Sequence, residues 1–91
     1  MMGMLAFSKA GHDKQTVYMI IGETEESVYL CDGKRRNLEN PKKKNKKHIQ
    51  LIKSGIDLTI QEKLLQHQTV HNEEIKKVIK DYHRLKEVLD V

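Results

Sequence analysis

The chain has one cysteine, one proline, no tryptophan and only four aromatic rings, Phe7, Tyr18, Tyr29 and Tyr82. A single cysteine excludes an internal disulfide framework and leaves no Cys pair to seed a zinc ribbon. Cys31 lies in the apolar run Val28-Tyr29-Leu30-Cys31 and reads as a small buried hydrophobe of a strand. The scarcity of rings argues against a platform on which successive bases stack. Phe7 reads as core and Tyr82 as part of a helix stripe, which leaves Tyr18 and Tyr29 as the rings that could meet a base. No run approaches the roughly 20 apolar residues of a membrane span. The opening MMGMLAFSKAG has neither the charged region nor the apolar length of a signal peptide. The expectation is a soluble, cytoplasmic, monomeric protein with no membrane partner.

Catalytic signatures are missing as well. There is no Gly-rich phosphate loop, no nucleophile elbow and no pair of carboxylates in a plausible cleft. His67 and His71 stand at the spacing of two metal ligands on one helix face, but the segment breaks between them and no third ligand is evident. No enzyme activity, cofactor or metal is expected.

What the chain does have is positive charge in one place. Asp32 to His48 reads DGKRRNLENPKKKNKKH. From Lys34 to His48 there are eight Lys/Arg and one acid, Glu39, a net of +7 in a chain whose total is +4. The rest therefore carries −3. Residues 1–53 hold eleven basic and six acidic side chains, and residues 54–91 hold six and seven. A positive field this dense and local is the footprint of a polyphosphate partner.

The surrounding residues supply a scaffold. With 91 residues, 37% hydrophobic and 33% charged, the chain is one small domain with a small core. Met4–Ser8 is a candidate strand, followed by a polar loop in which Gly11 takes a positive φ or admits another backbone. Val17–Ile21 is the clearest strand and stops at Gly22. Ser27–Cys31 is the next. Asp32-Gly33 signals a tight hairpin turn, returning the chain as a strand through Lys34–Leu38. Asn40-Pro41 breaks it, and the lysines of Pro41–His48 form a loop. His48–Ile52 closes the set. Five short strands joined by short turns suit a small antiparallel barrel, closed or partly closed, over residues 4–53.

From residue 54 the pattern turns helical. Thr59-Ile60-Gln61-Glu62 matches a capping box opening a short helix through about Gln66, expected to bury Ile60, Leu64 and Leu65. Asn72 is a candidate N-cap, with Glu73 and Glu74 in the first turn. Ile75, Val78, Ile79, Tyr82, Leu85 and Leu89 then recur at helical spacing over about five turns. This stripe calls for burial on the barrel, making residues 54–91 a helical extension packed on it. On the same helix Lys76, Lys80 and Arg84 form a ridge at i, i+4, i+8 that reads as a solvated face, with Glu73 and Glu87 near enough to pair; a second RNA contact is the alternative.

Ser8-Lys9-Ala10-Gly11-His12-Asp13-Lys14 before a hydrophobic strand resembles the KOW motif. Asp32-Gly33, Arg36, Leu38, Pro41-Lys42-Lys43-Lys44-Asn45 and Lys47-His48 resemble a bacterial KOW-domain RNA-binding family. That family is related to large-subunit ribosomal proteins of archaea and eukaryotes. The resemblance spans roughly residues 4–52 and implies a mainly β fold, a small five-stranded SH3-like barrel with a C-terminal helical extension. It further implies binding to structured RNA, with ribosomal RNA of the large subunit as partner. The family tends to have Arg and Gly where this chain has His12 and Gln15, a departure that implies a stiffer and less basic first loop and a smaller share for it in the RNA contact.

Together these readings nominate Lys9, Gly11, His12, Lys14, Lys34, Arg35, Arg36, Lys42, Lys43, Lys44, Asn45, Lys46, Lys47 and His48 as RNA-contacting residues. Lysines act as point charges towards phosphate and carry little base information. Arg35 and Arg36 are able to make bidentate contacts. Recognition of RNA shape and backbone is expected, with weak sequence reading. The alternative is a protein-interaction module of the SH3-like class docking on an acidic partner.

Overall fold

The structure is a computed structural model and describes residues 1–9, 16–54 and 56–89, the side chains of 87–89 excepted. Five strands come first: β1 (Leu5–Ser8), β2 (Val17–Glu23), β3 (Ser27–Cys31), β4 (Lys42–Asn45) and β5 (Ile49–Ile52). Two helices follow, α1 (Leu58–Leu65) and α2 (Asn72–Leu89). The strands form one antiparallel sheet in the order β4-β3-β2-β1-β5. Its edge strands, β4 and β5, are joined by a short 3-10 turn at Lys46–His48.

Both faces of this sheet are buried, and the period of two in the sequence explains how. Leu5, Val17, Met19, Cys31 and Ile52 point to one side and form a cluster with Ile60 of α1 and Ile75 of α2. Ala6, Tyr18, Ile20, Val28, Leu30 and Ile49 point to the other and pack on each other. Every member of that second cluster is a strand residue, so the sheet curls over it. A bulge assists the curl. Ile20 pairs with Leu30 and Gly22 with Tyr29, leaving Ile21 as the extra residue in β2. Bulges bend the strand and increase its twist. The expectation that Gly22 ends β2 is thereby corrected, because the strand runs on to Glu23.

The fourth strand is not the expected one. Lys34–Leu38 forms no strand, and Lys42–Asn45, read as a loop, pairs with β3 from Leu30↔Lys42 to Ser27↔Asn45. Lysine has little intrinsic preference for strands, but the open edge of β3 supplies the hydrogen-bond partners. Edge lysines also discourage pairing with another chain. The register puts Lys42 and Lys44 on the face of Leu30 and Val28, half-buried, where their aliphatic stems cover apolar surface. Lys43 faces the opposite way and is exposed.

Both helix starts differ from expectation. Asp57, not Thr59, caps α1, its carboxylate accepting from the Ile60 amide at 3.1 Å. At α2 the Glu74 carboxylate accepts from the His71 amide at 2.8 Å, closing the first turn one residue before Asn72. Glu74 also meets Lys63 of α1 at 2.7 Å. Midway along α1, Gln61 donates to the Met2 carbonyl at 3.0 Å, and a side chain on Gly3 would strike Gln61. At the end of the helix Leu65, expected to be buried, is exposed, on the face turned away from Ile60. Along α2, Ile75 is fully buried, Val78, Ile79 and Tyr82 are half-buried, and Leu85 is exposed. No helix among the described residues is long and apolar enough to cross a membrane.

Two outcomes follow for stability. Ile75→Asp places an unpaired charge in the shared core and is expected to lose about 3–5 kcal/mol in urea unfolding, whereas Leu85→Asp stays within about 0.5 kcal/mol. The Lys63 ammonium, then the His71 amide, hold the Glu74 carboxyl below its ordinary value of 4.5. A lowered folded-state pKa stabilises the fold above the unfolded value, and that stability is lost as pH falls through the folded one. The melting temperature should drop on acidification below about pH 4.5, and Glu74→Gln should flatten part of that drop.

Candidate nucleic-acid interface

The basic stretch folds as three linked pieces: a closed loop, an edge strand and a 3-10 turn. In the loop, a type I′ turn would need positive φ at both Asp32 and Gly33. Gly33 has φ 79°, but Asp32 does not share it. Instead the Asp32 carboxylate accepts from the amides of Lys34 (2.8 Å) and Arg36 (3.0 Å). The Arg36 carbonyl accepts in return from Asp32 (2.8 Å) and Gly33 (3.2 Å). Four hydrogen bonds thus close residues 32–36 on themselves, with Lys34 and Arg35 exposed and Arg36 half-buried.

This loop is fastened to α2. The Asn72 side-chain oxygen accepts from the Leu38 amide at 2.8 Å and stands 4.0 Å from the Cys31 sulfur. Its amide nitrogen reaches Glu39 at 3.4 Å. Asn72, expected as a helix cap, is therefore a tertiary clamp. Gly33 makes the approach possible, since a Cβ there would lie 2.5 Å from the Asn72 carbonyl oxygen and 2.8 Å from Lys76 Cγ. Burial pushes the Cys31 thiol above its ordinary pKa, in keeping with a packed residue and not a reactive one.

On the edge strand and turn, the nominated residues divide by what holds them. Asn45 accepts from the Lys47 amide at 2.9 Å and caps the 3-10 turn, a structural duty. Lys46 pairs with Glu23 at 3.0 Å, and its amide donates to the Glu26 carbonyl at 2.9 Å. That contact, with the N-terminal amine behind it, lowers the Glu23 pKa. Lys43, Lys47 and His48 are exposed. The Lys9 amide donates to the His48 carbonyl at 2.9 Å, bringing Lys9 to the same rim. Lys42 pairs with Leu30, two residues before Asp32, so the strand and the loop adjoin at that end. Gly11, His12 and Lys14 lie outside the described residues.

The sequence reading missed the Asn72 clamp and the Lys46–Glu23 pair. Neither leaves a periodic or compositional trace, because each joins residues far apart in the chain. Comparison with protein-family models and with curated proteins gives no match.

The clamp can be tested directly. Asn72→Ala strands the Leu38 amide and is expected to cost about 1–3 kcal/mol in urea unfolding. Hydrogen exchange at Leu38 should quicken at least tenfold relative to strand amides, by local opening of the loop. Unchanged exchange would show that the loop is held by other contacts.

Proposed function

We propose that this chain is a cytoplasmic, non-catalytic RNA-binding protein of the KOW class that contacts structured ribosomal RNA of the large subunit as a monomer. The sheet supports that reading at the level of shape. Edge strands joined by a 3-10 turn, in the order β4-β3-β2-β1-β5, with a second core enclosed by the strands alone, suit an SH3-like barrel.

The observation that carries the proposal is the fixed state of the basic stretch. A polybasic segment left as a free tail must be ordered on binding, which weakens its affinity. Here the +7 stretch is an edge strand, a capped turn and a clamped loop. Arg35, Lys43, Lys47, His48 and Lys9 present their side chains to solvent from these rigid supports. Arg35 offers the bidentate geometry suited to a phosphate, and the lysines add field without base preference. Structured RNA, whose backbone follows a fixed path, is the ligand such a surface fits.

If about five phosphates are neutralised, log K should fall against log salt with a slope of roughly −3 to −5. Substituting Arg35, Lys43 and Lys47 by Ala should weaken binding to different structured RNAs alike, because backbone contacts carry no sequence information. Filter binding to protein-free large-subunit ribosomal RNA at several salt concentrations measures both. A slope near zero with binding intact would reject the reading in favour of docking on a protein.

A further inference from the structure

α2 leaves a channel against the ends of β1 and β2 that the basic stretch does not account for. One part, about 840 Å³, lies between Val17, Lys34, Lys76, Lys77, Ile79 and Lys80. The other, about 610 Å³, lies between Phe7, Lys9, Tyr82 and Lys86. Val17 and His83 line both parts, so the two adjoin. The floor is apolar and the walls are lysine.

Among the described residues that line it, six lysines face two acids, Asp32 and Glu73. Asp32 already accepts two backbone amides. None of the six lysines forms an ion pair with another of the described residues, whereas Lys46 and Lys63 each hold a glutamate. From Lys76 to Lys86 the helix rises about 15 Å. That length runs beside several phosphates of one strand, spaced by about 3.4 Å of rise in a duplex. Among the described residues no arginine lines either part, so the walls offer charge without the planar fork that reads carboxylates or base edges.

We infer that this channel is a second contact surface for an RNA sugar-phosphate backbone, reached from the Lys34 loop at one end and from Lys9, beside His48, at the other. The inference rests on the RNA reading above and deepens it: the ligand is gripped by α2 as well as by the sheet edge. An acidic protein segment is the competing occupant. The observations favour RNA because the channel continues the surface already assigned to it and because its lysines are spread along a line, as phosphates are.

The test uses the full chain and protein-free large-subunit ribosomal RNA. Lys76, Lys77 and Lys80 are changed together to Gln, a comparable helix former that leaves the fold intact. Lys53→Gln, exposed and outside the channel, is the control. The expected result is an affinity about tenfold lower at 0.1 M salt and a salt slope shallower by about two, with an unchanged melting temperature. A second readout needs no variant: backbone amides of Val17, Lys34 and Ile79 should shift in NMR spectra of the wild type as an RNA hairpin from the same source is added. Wild-type affinity and slope in the triple variant would overturn the inference while leaving the RNA reading in place. Wild-type protein that shows no salt-dependent binding would remove the RNA reading itself, and this inference with it. Poly-glutamate shifting the channel amides as strongly as RNA at equal charge would assign the channel to a protein and overturn the inference.

Discussion

The side chain of Asn72 holds the molecule together at the point where its two halves meet. One oxygen accepts the Leu38 amide, and the residue's own carbonyl lies against Gly33. The segment after β3 is thereby fixed between the sheet and the first turn of α2. Without that contact residues 32–41 would be a polar excursion with little apolar anchorage beyond Leu38. Ordering such an excursion costs about 1–2 kcal/mol per residue in backbone entropy alone. With it, the loop's charges stand at set positions relative to the lysines of α2. The helix serves as core through Ile75 and as a wall of positive charge through Lys76, Lys77 and Lys80.

A chain with so few apolar residues has to use both faces of its sheet. Leu5, Met19 and Cys31 look towards the helices, while Ala6, Ile20, Val28 and Leu30 look inwards on each other. The consequence for charge is spatial. With both faces occupied, basic residues are left the rims: the outer edge at β4, the turn into β5 and the loop beside α2. Several acids are spent within the fold, Glu23 on Lys46, Glu74 on Lys63 and Asp32 on the amides of its own loop.

Much of this was legible in the sequence, and the parts that were not share a cause. β1, β2, β3, β5 and α2 announce themselves by alternation, β-branching or helical spacing, which are local properties. β4 does not, because lysine is a poor strand former and the partner edge belongs to residues fifteen or so positions away. Asp32-Gly33 carried a true turn signal, but Asp32 used its carboxylate to curl the chain, an outcome the dipeptide shares with the hairpin. Thr59 and Asn72 both looked like caps by residue type. Asp57 and the Glu74–His71 contact took those roles, leaving Asn72 free to reach across the fold. The basic residues themselves were readable as a group. Which of them point outwards was not, since Lys46 is claimed by Glu23, which only the folded chain brings near.

The bulge at Ile21 bears on how the shape of the sheet is written into the chain. Ile20↔Leu30 and Gly22↔Tyr29 are the pairs on either side of it. Removing Ile21 would leave the same residues opposite one another, with Gly22 still facing Tyr29 and Glu23 still facing Val28. The ladder would be unbroken and straighter, and the loss would be the bend with Ile21's own packing on the helix side. Curvature here is thus stored as one surplus residue and not as any particular pairing. Two chains with identical strand contacts, differing at that single insertion, would enclose different volumes and set the lysine edge at different angles to α2.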